Sequence, residues 1–218
     1  MARARTRARI WVALAWTWSI FFGLILLLRI LAMFGGPGYD VYDIPSGSMF
    51  PNLRVGDHMF ALANVYTNEV PPRGQIVVFK YPPDRTTDYV KRVVGLPGDH
   101  VQLRAGRLYI NDQLVPREPV ADSDIASPYG NPIKLYRETL PGGTSYLIAE
   151  DSDDGPSDNT EVFAVPAGTV FMLGDNRDHS ADSRISTGVG YVPLALLHDK
   201  PLFVFWSTDL KRIGARIR

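Results

Sequence analysis

From Ile10 to Leu28 the chain runs 19 residues without a charge, and no other stretch constrains it as strongly. At about 1.5 Å of helical rise per residue, the run spans roughly 28 Å, close to the hydrocarbon thickness of a bilayer. Arg3, Arg5, Arg7 and Arg9 precede it, and Trp11, Trp16 and Trp18 sit toward that basic end, where interfacial anchors are common. A cleavable leader would have an apolar core of about 7–15 residues followed by a small-x-small site. The segment from Arg29 to Gly36 offers Ala32 and no such pair. The expectation is one retained transmembrane helix within residues 10–34. Residues 1–9 form a basic cytoplasmic N-terminus, and residues 35–218 lie on the far side of the membrane.

Lys+Arg and Asp+Glu are equal at 23 each, so no global charge draws the chain to nucleic acid. Cysteine is absent, which removes disulfides and thiol chemistry. Gly35-Gly36-Pro37-Gly38 breaks the chain after the apolar run. Beyond it come short β-prone stretches bounded by Gly and Pro, among them Met59–Val65, Gln75–Phe79, Tyr89–Val94, His100–Leu103, Leu108–Ile110, Thr169–Leu173 and Leu202–Trp206. Ala105-Gly106 and Asn111-Asp112 fall between such stretches and predict hairpin turns. The predicted fold is mainly β, an antiparallel barrel-like domain. Residues 117–168 are richer in Pro, Gly, Asp and Ser and predict a smaller accessory lobe. Within them, Asp151-Ser-Asp-Asp-Gly155 lacks the ligand offsets of an EF-hand and reads as a solvated acidic loop.

Three segments carry chemistry. In Ile44-Pro45-Ser46-Gly47-Ser48-Met49-Phe50-Pro51, two prolines and a glycine pre-set the backbone around two hydroxyls. A hydroxyl becomes a useful nucleophile only beside a base, and by itself the segment also suits an ordinary turn. Candidate bases are His58, His100, His179, His198 and the lysines. Lys91 lies in the apolar run Asp88-Tyr-Val-Lys-Arg-Val-Val94, where strand alternation points Lys91 and Arg92 oppositely and lets one of them face inward. Burial lowers a lysine pKa from about 10.4 by several units, whereas arginine stays charged. An exposed edge-strand lysine is the competing reading. The third segment, Gly174-Asp-Asn-Arg-Asp-His-Ser-Ala-Asp-Ser-Arg184, follows an apolar strand and holds side chains able to pair among themselves. It suits either a polar network or an Asx-stabilised turn.

In order along the chain, these segments and Arg73-Gly-Gln-Ile-Val-Val-Phe79 resemble the bacterial type I signal peptidases. That family shows an anchor, P-S-x-S-M-x-P-T-L-x-x-G-D, R-G-D-I-V-V-F, Y-[IV]-K-R-x-x-G-L-P-G-D and G-D-N-R-D-N-S-x-D-S-R. Here Pro45 to Asp57, Tyr89 to Asp99 and Gly174 to Arg184 match, and the likeness is weakest over 117–168. The resemblance implies a membrane-bound serine endopeptidase that removes signal sequences from exported preproteins after small-x-small motifs, without metal or cofactor. Its partners would be those signal sequences and membrane lipid, and its place the bacterial inner (plasma) membrane. By the same resemblance Ser48 is the nucleophile and Lys91 its general base. Ser46 and the Ser48 backbone N–H supply the oxyanion donors, Ser180 orients the lysine, and Asp175, Asp182 and Arg184 give support. Tyr42, Ile44, Pro45, Met49, Leu53, Met59, Val78, Asp88, Tyr89 and Val90 match the substrate pocket.

Asn52, Gln75 and His179 depart from the family's usual threonine, aspartate and asparagine, and Ile185 to Pro193 is longer than its usual W-G-[FY]-V-P. His179 is expected to add pH sensitivity, which His179→Asn would remove. Two other readings compete: a specialised conjugation- or pilus-type relative, and a catalytically silent anchored β-domain that binds exported chains. The LexA-like repressors share Ser and Lys chemistry but fit neither the anchor nor the lack of a DNA-binding segment.

Overall fold

The computed structural model describes residues 16–27, 38–120, 129–130 and 133–218. The chain divides into two units, Met1–Gly38 and Tyr39–Arg218. In the first, residues 16–27 are helical and expose Trp16, Trp18, Phe21, Phe22 and Leu24. Residues 10–15 and 28–34 of the predicted span lie outside the described residues. Among the described residues no helix is long and apolar enough to cross a membrane.

Short β-prone runs punctuated by turn residues give the described residues of the second unit fourteen strands: β1 (Tyr39–Asp43), β2 (Asp57–Leu62), β3 (Ile76–Lys80), β4 (Asp88–Gly95), β5 (His100–Arg104), β6 (Arg107–Ile110), β7 (Gln113–Leu114), β8 (Arg117–Pro119), β9 (Lys134–Thr139), β10 (Ser145–Glu150), β11 (Phe163–Ala164), β12 (Thr169–Leu173), β13 (Val192–Pro193) and β14 (Leu197–Ser207). Both predicted hairpin turns form. Ala105 and Gly106 have φ of 47° and 66°, and Asn111 and Asp112 have 53° and 60°. Positive φ at both central residues matches the strands' own twist, which joins β5 to β6 and β6 to β7 tightly.

Seven strands form an antiparallel sheet in the order β1-β2-β14-β3-β4-β12-β13. Register shifts along β14 and β12 mark bulges, which bend strands and increase local twist, so the sheet curls. A four-stranded sheet (β11-β5-β6-β7) and a three-stranded one (β10-β9-β8) complete the unit. Residues 117–168 thus supply all of β8, β9 and β10, while their β11 pairs with β5 outside that segment.

Opposite faces of β3 serve different clusters: Val77 and Phe79 pack with Val93, Val170 and Met172, whereas Ile76 and Val78 pack with Ile44, Met49, Leu53 and Met59. A third cluster joins Val94, Phe171 and Leu173 to Val101, Leu103 and Ile148. Each fully buried side chain of this size contributes about 1.5–3 kcal/mol. Along β4 burial rises from exposed Asp88 to complete burial from Lys91 onward. The strand therefore passes from a surface rim into the interior. Only one of Lys91 and Arg92 was expected inside, yet both are buried, at 3% and 0% exposure. Arg92 is covered because its guanidinium lies 3.9 Å from the Tyr146 ring centroid on β10.

Candidate active site

The segment after β1 is pinned at both ends. Ile44 N–H donates to the Asp57 carbonyl (2.9 Å), Gly56 N–H to that of Ile44 (3.1 Å), and Leu53 N–H to that of Met49 (2.9 Å). Asn176 clamps the middle: its backbone N–H donates to the Ser48 carbonyl and its side-chain amide to that of Gly47, each at 3.1 Å. Ser48 thereby presents its hydroxyl at the β4 rim. Lys91, opposite Val77 in the β3–β4 ladder, reaches it: Nζ lies 2.8 Å from Ser48 Oγ and 3.0 Å from the Val90 carbonyl. Ser46 Oγ is 3.2 Å from Ser48 Oγ.

Burial drives the Lys91 amine down from 10.5 to about 8, against the opposing pull of Asp182 and Asp175. A drop of that size raises the neutral fraction near pH 7 roughly 300-fold. In the charged form Nζ donates to Ser48. Once neutral, the same contact can run in reverse, with the hydroxyl donating to the amine's lone pair.

Buried charge pairs brace this pair from behind. Arg92 donates from Nε and Nη2 to the two Asp175 oxygens, both at 2.7 Å, a bidentate geometry. Asn52 Nδ2 adds bonds to Asp175 Oδ2 and to the Leu147 carbonyl, both 2.7 Å, so the departure from threonine still engages Asp175. Asp182 accepts from Arg184 Nε (2.9 Å) and from Gly174 N–H (3.0 Å). Despite complete burial, Arg184 and these N–H donors hold its carboxyl below the usual range. Ser180 stands beside Gly174. Its Oγ is buried with no hydrogen-bond partner among the described residues, and the hydrogen-bond partners of Lys91 Nζ are Ser48 and the Val90 carbonyl. Its approach requires Gly174, where a Cβ would stand 2.1 Å from Ser180 Oγ and 2.6 Å from the Ser48 carbonyl oxygen.

A groove of about 420 Å³ opens over Ser48 and Lys91. Of the residues that the resemblance assigns to the substrate pocket, Tyr42, Ile44, Pro45, Met49, Met59, Val78, Asp88, Tyr89 and Val90 line it. Leu53 does not: at 0% exposure it packs behind the wall against the Met49–Val78 cluster. Asp43, Thr87, His179 and Ala181 also line the groove, and of these only His179 stood out in the sequence. Asn176 was legible only as one polar residue among many. Its clamp on Ser48 depends on a contact 129 residues apart.

On the outer rim, His198 links two groove residues. Nε2 meets Asp88 at 3.0 Å and Nδ1 meets Asp199 at 2.9 Å, and Asp199 in turn accepts the Tyr42 hydroxyl at 2.5 Å. Burial alone would lower the His198 pKa, but Asp199 and Asp88 together raise it.

By sequence the chain matches known proteins over most of its length. The family described as "Signal peptidase, peptidase S26" matches residues 13–206. Signal peptidase I of Rickettsia canadensis (strain McKiel) is 34% identical over 233 aligned residues, 94% of this chain and 82% of its own. That of Rickettsia prowazekii (strain Madrid E) is 35% identical over 212, covering 85% and 76%. A crystal structure of a signal peptidase I from Enterococcus faecalis is 25% identical and covers 59% of this chain and 94% of its own, with a TM-score of 0.34. With a family match spanning most of its length and relatives at this identity, the chain belongs to the signal peptidases of peptidase family S26, which are serine hydrolases.

Proposed function

We propose that the chain cleaves signal sequences from exported preproteins, with Ser48 as nucleophile and Lys91 as general base. A preprotein's small-x-small segment lies along the groove, where walls such as Ile44, Met49 and Val78 suit small apolar side chains. The neutral amine takes the hydroxyl proton as Ser48 Oγ attacks the carbonyl. Lys91 then passes that proton to the departing amine, and water releases the acyl group. Negative charge on the tetrahedral oxygen meets the Ser48 N–H and the Ser46 hydroxyl. The observation that carries this reading is the 2.8 Å approach of a buried amine to the Ser48 hydroxyl. Residues 10–34 as an anchor, with residues 35–218 on the extracytoplasmic face, would hold the groove beside the membrane where substrates emerge.

Processing of a preprotein by the full-length chain in detergent tests the pair. Ser48→Ala and Lys91→Ala should each abolish cleavage, and substantial processing by either would refute the assignment. A panel of unrelated preproteins separates general processing, where most are cut, from a specialised conjugation- or pilus-type role, where one or two are.

A further inference from the structure

Behind the segment that carries Asp175, Asn176 and Ser180, three carboxylates converge. One oxygen from each of Glu150, Asp158 and Asp178 lies within 4.8 Å of the other two. Glu150 and Asp158 are 1% and 0% exposed, and Glu150 Oε2 and Asp158 Oδ1 are buried without a hydrogen-bond partner. Leaving a buried carboxylate oxygen unpaired is costly unless another positive group satisfies it. Arg177 pairs with Glu138, Arg184 with Asp182, and Arg117 divides between Glu150 and Asp153, while Arg177 Nε and Arg184 Nη1 are buried without a hydrogen-bond partner.

The backbone is shaped to bring these groups together. Asp178 Oδ2 accepts from the N–H of Asp151 (2.6 Å) and of Ser152 (3.2 Å), and Asp158 Oδ2 accepts from Gly155 N–H (2.6 Å). A Cβ at Gly155 would lie 2.7 Å from Asp178 Oδ1 and 3.1 Å from Asp158 Oδ2, so only glycine leaves room for both carboxylates. Asp158, three residues beyond the acidic loop Asp151–Gly155, is a buried carboxyl.

We propose that Glu150, Asp158 and Asp178 bind one hard divalent cation of the calcium class, which ties the 150–158 loop to the Asp175–Arg184 segment. Oxygen-only ligands select hard cations over zinc or copper. Calcium, with ligand distances of about 2.3–2.6 Å and tolerance of irregular geometry, suits carboxylates on a loop better than magnesium, which demands near-octahedral order. The partly exposed Asp178 leaves a side open for water ligands and for entry. This site lies outside the proposed chemistry and stands independently of it.

The test is a thermal melt of chelator-treated full-length chain in detergent, titrated with CaCl2 or MgCl2, with calorimetry for stoichiometry. At about 10 mM CaCl2 the melting point should rise by about 5 °C or more, taking a dissociation constant of about 10⁻⁴ M. MgCl2 should do less, and calorimetry should count one ion per chain. Asp178→Asn and Glu150→Gln should each lose the rise, whereas Asp112→Asn, an exposed acid elsewhere, should keep it. The second site variant decides the matter should the first not fold. No calcium response in the native chain, an equal response to MgCl2, or a response retained in the folded site variant would overturn the assignment.

Discussion

Replacing Lys91 with methionine separates a base held under strain from an ordinary structural lysine. The amine titrates near 8 rather than 10.5 because burial disfavours its charged form. At about 1.4 kcal/mol per pKa unit, the folded state therefore carries about 3 kcal/mol of penalty at pH 7, which an uncharged side chain of similar volume would not. For a depressed lysine the unfolded chain holds the proton more tightly. Native stability is thus flat below about pH 8 and climbs with pH between about 8 and 10.5. Lys91→Met should accordingly abolish cleavage yet raise the melting point by about 8 °C at pH 7, an advantage that shrinks toward pH 10. In the native enzyme, kcat/KM on a peptide containing an Ala-x-Ala site should rise tenfold per pH unit up to about 8 and then level off. Differential scanning fluorimetry and a pH-rate series supply both readings. A less stable Lys91→Met, or a rate limb centred near 10.5, would refute the reasoning, because the ammonium would then be well accommodated where it lies.

Gly174→Ala should lower kcat/KM about 100-fold, since its Cβ would displace Ser180 and the Ser48 backbone and small misplacements of reacting groups are costly; peptide kinetics within threefold of native would contradict this. Asp175→Asn leaves the fully buried Arg92 without its bidentate partner, and denaturant unfolding should show a loss of about 3–5 kcal/mol. The raised His198 pKa means that its ion pairs contribute fully below about pH 6.5 and fade as pH rises through the higher folded value. His198→Gln should flatten that decline in melting point and raise KM more than it lowers kcat, because Tyr42 and Asp88 both wall the groove. An unchanged KM would count against the link.

The sequence alone placed what local chemistry dictates. Positive-φ turn residues at Ala105-Gly106 and Asn111-Asp112 announced their hairpins, β-prone runs announced the mainly antiparallel fold, and ordered motifs announced the family. The groove wall draws mainly on three stretches of sequence, 42–59, Val78 and 87–91. Only the tertiary structure decided how deep each of these residues lies. Lys91 and Arg92 both became interior because β4 is covered on both faces, and Leu53 fell behind the groove wall rather than on it. Likewise Glu150, Asp158 and Asp178 became a cluster only when the 150–158 loop folded onto the Asp175–Arg184 segment. The contacts that matter most run from Lys91 back 43 residues to Ser48 and from Arg92 forward 83 residues to Asp175. Propensity and spacing register only near neighbours along the chain. Desolvation, which sets the charge of Lys91, depends on everything packed around it.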